Sequence, residues 1–67
     1  MAGLKKRSLT LAGHATSLAL EPEFWVVLQA MAESRGQSLA AFIAEIDAGR
    51  GERPLASACR VAAITGG

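Results

Sequence analysis

The sequence predicts a small, mostly α-helical domain with one short β-strand, completed by a second copy of the same chain. Three observations lead there. Residues 15–20, "ATSLAL", alternate leucine or threonine with alanine or serine, the period-two pattern of a strand with one buried face. Two amphipathic helical segments follow it, over 22–35 and 39–48. Finally, 67 residues bury little surface, and the usual staples are missing. Cys59 is the one cysteine and His14 the one histidine, so these residues offer neither an internal disulfide nor the ligands of a structural zinc site. Oligomerisation is the remaining means of support.

The strand carries the first argument. Unpaired, it leaves backbone N–H and C=O groups without partners, which is costly away from water. Two partners are open to it. The preceding "SLTLA" at 8–12 also alternates, and Gly13-His14 can turn it back as a hairpin. Alternatively, residues 15–20 of two chains pair antiparallel, with 8–12 as an extended arm or an additional edge strand. The second arrangement is the expectation, because it also answers the problem of excess apolar surface.

The helices are clearly punctuated. Pro22 suits a first helical turn, where its missing N–H is no loss, and Glu21 and Glu23 place negative charge at the positive end of the helix dipole. Phe24, Trp25, Leu28, Met31 and Ala32 share one face, and Gly36 can close the helix in a left-handed conformation. Ser38 has the character of an N-cap for the next helix, where Leu39, Phe42, Ile43 and Ile46 recur at helical spacing. Gly49-Arg50-Gly51 interrupts the pattern, and Pro54 opens a weaker segment through Leu55, Ala58, Cys59 and Ala62 that frays at Gly66-Gly67. The chain thus divides into a basic N-terminal arm at 1–14, a core at 15–49, and a linker with a short C-terminal helix at 50–67. Leu18, Leu20, Phe24, Trp25, Leu28, Phe42, Ile43 and Ile46 exceed what one partner helix can cover, and a two-fold dimer core is their expected destination.

Charge narrows the function classes. Lys5, Lys6 and Arg7 make residues 1–20 basic, residues 21–47 are net acidic, and the whole carries a net charge of +1. The chain is therefore no globally basic nucleic-acid binder, but its start is locally basic. The longest strongly apolar run, Phe24-Trp25-Val26-Val27-Leu28, is too short to span a bilayer, so no membrane role is expected. The basic start lacks a following apolar region, and with the free thiol this suggests the cytoplasm.

The alternating "TSLAL", the helix opening "EPEFW", the "RGQS" turn and the second helix's apolar pattern resemble the ribbon-helix-helix family of bacterial DNA-binding proteins, relatives of the Arc and MetJ repressors. The blocks "KKRSLTLAGHATSLALEPEFW", "AEIDAGRG" and "PLASACRV" are similar to a subfamily of short, uncharacterised bacterial proteins of that class. The resemblance implies an intertwined homodimer with a two-stranded antiparallel intermolecular ribbon, acting as a transcriptional regulator on double-stranded DNA. It implies that Ala15, Ser17 and Ala19 face the bases in the major groove. Two alanines and a serine offer no bidentate base contact, a departure from the long polar side chains common there. It further implies phosphate contacts from the second-helix start at Ser38, Leu39 and Ala40. Lys5, Lys6 and Arg7 add salt-sensitive attraction.

A second class stands beside this one: a non-enzymatic protein-interaction or adaptor module that keeps the dimer scaffold without specific DNA readout. The bland outward strand favours it. An enzyme is not expected, and neither a cofactor nor a metal is implied. His14 lacks a nucleophile in any evident relation to it, and Glu45 and Asp47 diverge on a helix. Cys59 has no CxxC partner, and Phe24-Trp25 fits packing better than a ligand site.

Overall fold

A computed structural model describes residues 3–66; Met1 and Ala2 of the basic arm, and Gly67 of the segment expected to fray, lie outside them. The element order is β1 (Lys5–Leu11), β2 (His14–Leu20), α1 (Pro22–Ser34), α2 (Leu39–Gly49) and α3 (Leu55–Thr65). The class is the expected one, mostly helical with a ribbon, but with two strands where the sequence suggested one.

The partner of "ATSLAL" comes from its own chain. β1 and β2 pair antiparallel from Lys5 opposite Leu20 to Leu11 opposite His14. The expected single-strand reading of 15–20 is corrected here, and the basic arm from Lys5 onward is itself a strand. The turn is Ala12-Gly13, with φ of 51° and 82°, rather than Gly13-His14. Positive φ at both central residues is the tight hairpin turn whose twist matches that of the strands. Gly13 enters that region freely and Ala12 does so at some strain.

Side-chain parity then divides the hairpin. Leu11, Leu18 and Leu20 are buried against the helices, with Leu9 and Thr16 partly so. Lys6, Ser8, Thr10, Ala15, Ser17 and Ala19 have the opposite parity and form the outer face. β1 is fastened by more than its ladder. Trp25 Nε1 donates to the Lys5 carbonyl at 2.8 Å, and the Arg7 guanidinium lies 5.2 Å from the Trp25 ring centre.

Local chemistry sets the helix ends. Gln37 N–H donates to Ala32 O at 2.9 Å and Gly36 N–H to Glu33 O at 3.0 Å, with Gly36 at φ 67°. That paired closure satisfies the carbonyls left over at the end of α1. Ser38 Oγ accepts from Ala41 N–H at 3.1 Å and caps α2.

Of the residues expected in a dimer core, Leu18, Leu20, Trp25, Leu28, Phe42 and Ile43 are already buried within one chain, and Phe24 and Ile46 pack partly against them. The reason is α3. Its small residues Ala58, Cys59 and Ala62 let it approach both other helices, and Cys59 is fully buried. Arg60 fixes its position, Nε donating to Glu21 Oε1 at 2.9 Å with the guanidinium 5.8 Å from the Phe24 ring centre. α3 is thus the lid of the core. Gly66, at φ 81°, caps α3 with a bond from its N–H to Ala62 O.

Candidate nucleic-acid interface

The sequence-predicted site residues fall into three places. Ala15, Ser17 and Ala19 stand on the outer face of the hairpin, where β1 sets Thr10, Ser8 and Lys6 directly opposite them. The sequence left this second row open, because residues 8–12 suit a hairpin partner, an extended arm or an additional edge strand alike. Its signal was present in the alternation of "SLTLA". The face holds short side chains and hydroxyls, with Lys6 as its one charge.

The three basic residues divide. Lys6 points outward, whereas Lys5 and Arg7 share the parity of the buried leucines and line a groove with Trp25, Val26 and Glu33. Arg7 is engaged with the indole, so its cation serves the fold as well as any anion. The third place is the start of α2. There the Ala41 N–H is taken by Ser38 Oγ, and the N–H groups of Leu39 and Ala40 remain as the unpaired donors of a helix start. Among the described residues, no side-chain hydrogen bond links Ser38 to the outer face of the hairpin.

The two edges of the ribbon differ in kind. β1 begins Lys5-Lys6-Arg7, the sort of charge that blocks edge pairing, while β2 carries no lysine, arginine or carboxylate. The tight turn closes on the Leu11–His14 pair, and bonded pairs alternate from it. By that alternation Ala15, Ser17 and Ala19 aim their N–H and C=O groups away from β1, along the free edge of β2. A groove runs beside this edge, with Asp47, Arg50 and Leu55 across from it.

Residues 4–66 match a family model described as a ribbon-helix-helix domain. The chain belongs to the ribbon-helix-helix family. Ribbon-helix-helix domains generally dimerise and bind DNA. A solved structure, that of an uncharacterized protein from Bordetella pertussis Tohama I, is similar to this ribbon-helix-helix chain at 34% identity and a TM-score of 0.81. The match covers 94% of this chain and 54% of that one, so this chain spans about half its length. No curated protein matches.

Other chemistry is sparse. Among the described residues no group of three metal-ligating side chains comes together, and no helix is long and apolar enough to cross a membrane. Burial, reinforced by the Asp47 charge, pushes the Cys59 thiol up to about 11, far from the thiolate a nucleophile needs. The hydrogen bond from Arg60, helped by a backbone N–H, holds the Glu21 carboxyl below its usual range.

Proposed function

We propose that this chain is a homodimeric DNA-binding domain acting in transcription regulation in the cytoplasm, with its ribbon laid along the major groove. The carrying observation is the asymmetry of the hairpin. One edge is charged, the other is bare, and the outer face is nearly free of long side chains. Two bare edges pair antiparallel across a two-fold axis and give a sheet in the order β1-β2-β2-β1. Membership of a family that generally dimerises supports the same arrangement.

The dimensions assign roles to the strands. At ~4.8 Å per strand, the outer strands of such a sheet lie about 14 Å apart. The major groove is about 12 Å wide and admits a two-stranded ribbon. The central β2 pair therefore faces the groove, and each β1 lies over a row of phosphates. Lys6, Ser8 and Thr10 on β1 suit phosphate oxygens. Ala15, Ser17 and Ala19 on β2 suit close approach to the bases with little directional readout. Leu39 and Ala40 N–H, with Ser38, are proposed as a further phosphate clamp. Binding is accordingly tight at low salt and weakly selective in sequence.

Fluorescence anisotropy with a generic duplex tests this. Affinity should fall steeply with salt, and Lys6→Ala should reduce the log–log slope by about 1.8 per dimer, at ~0.9 for each phosphate released. No binding at low salt would remove the DNA role and leave the adaptor reading. The dimer has its own test. Ser17→Pro deletes an N–H on the free edge while sparing the bonds to β1. Sedimentation should show the mass fall to that of a monomer with helical content intact. An unchanged dimer mass would move the interface off this edge.

A further inference from the structure

The α2–α3 side of the molecule carries a groove of about 340 Å³ that the ribbon does not use. Its floor is apolar: Phe42, Ala58 and Ala62 are buried there, and Ile46 is partly so. Val61, 37% exposed, continues the apolar surface at the lip, and Ile64, 76% exposed, follows one turn on along α3. Three guanidinium groups border this floor, from Arg35, Arg50 and Arg53.

Those arginines are held at the rim. Arg35 lies over the Phe42 ring, 5.0 Å from its centre. Arg50 Nε donates to Asp47 Oδ1 at 2.6 Å, and its Nη1 donates to the Arg53 carbonyl at 2.7 Å. Arg53 Nη1 donates to Ser57 Oγ at 3.3 Å. The one carboxylate lining the groove, Glu45, already accepts from Gln37 Nε2. Each guanidinium has five N–H donors, so all three retain donors beyond these contacts.

We propose that this groove is a docking site for an acidic amphipathic helix of a partner protein. An apolar floor under a positive rim is the complement of a helix with an apolar stripe and carboxylates along its flanks. Charge complementarity selects the sign, and planar guanidinium forks match carboxylates. α3 runs for 11 residues, about 16 Å at 1.5 Å each, which accommodates some three turns of a helix lying beside it. Nucleic acid meets the rim but leaves the floor uncovered, because a phosphate row offers no apolar face. The site shares no lining residue with the outer face of the ribbon, so the domain can engage DNA and a protein together.

The test uses the full chain and a fluorescein-labelled helical peptide of about four turns, with leucine at i, i+3, i+4 and i+7 and glutamate on the flanks. A lysine-flanked twin serves as control. The glutamate peptide should bind with a micromolar Kd, and the lysine peptide should not bind. Arg50→Glu with Arg53→Glu should raise the Kd at least about tenfold, an effect of ~1.4 kcal/mol. Because Arg50 also ties the α2–α3 linker, Val61→Glu and Arg35→Glu supply independent variants, each expected to weaken the peptide while the helical spectrum is unchanged. Equal binding of both peptides, or an unchanged Kd in folded variants, would overturn the proposal. So would a loss of duplex binding without a loss of peptide binding, which would make the groove a nucleic-acid surface. A loss of dimer mass in Val61→Glu or Arg35→Glu, neither of which lines the groove beside β2 that Arg50 also borders, would name a second copy as the occupant instead.

Discussion

Replacing Ile43 with alanine is expected to unfold most of the molecule near body temperature. Ile43 is fully buried, and its side chain belongs to the cluster joining the sheet, α1, α2 and α3. Truncations of this kind cost about 2–5 kcal/mol, the lost transfer energy plus an unfilled cavity. A domain of this size has roughly 3–10 kcal/mol in all, at ~0.05–0.15 per residue. A fall in Tm of about 8–40 °C follows, since 1 kcal/mol corresponds to ~4–8 °C in so small a domain. Val26→Ala is the control, because Val26 is 70% exposed and its loss should change stability by no more than ~0.5 kcal/mol. Thermal melts of both variants check this. A small effect at Ile43 would mean that α3 does not close the core within one chain.

The elements that rest on local chemistry were legible in the sequence. Pro22 begins α1, Gly36 closes it with a positive φ, and Ser38 caps α2. Each of these works through its own backbone and near neighbours, so no distant information is required. The apolar spacing of Trp25, Leu28, Phe42 and Ile43 was equally readable, because burial follows helical period.

What the sequence hid depends on contacts between distant segments. β1 starts with three cations, and Lys5-Lys6-Arg7 resembles a solvated tail until Trp25, 20 residues away, binds the Lys5 carbonyl and stacks on Arg7. The alternation of "SLTLA" was visible, but its choice between an intrachain and an interchain partner is a matter of tertiary packing. α3 was hidden for the opposite reason. Ala58, Cys59 and Ala62 have little hydrophobic weight, and their value lies in letting a helix approach closely. Two arguments for a dimer, an unpaired strand and an uncovered apolar face, are therefore answered inside one chain. The bare edge of β2 and the family now carry the case for it.

The same edge allows DNA reading to be separated from dimerisation. Lys6 and Ser8 lie on β1, the strand remote from the two-fold axis of the proposed dimer, and both are exposed. Lys6→Glu with Ser8→Glu turns the outer rows of the four-stranded sheet from cationic to anionic, directly over the phosphates. Per dimer this removes two cations and adds four carboxylates. Duplex affinity at low salt should fall at least about a hundredfold, equivalent to ~2.7 kcal/mol. Dimer mass should hold, because neither residue touches the pairing edge, and surface substitutions of this kind shift stability by only ~0.5 kcal/mol each. Peptide binding in the arginine-rimmed groove should also be unaffected. Anisotropy and sedimentation on one preparation give all three readings. If duplex affinity survives while the dimer persists, the phosphates are held elsewhere, and the remaining candidates are the Lys5–Arg7 flank and the start of α2. In that case the ribbon is an assembly element only, and the regulator reading loses the surface on which it rests.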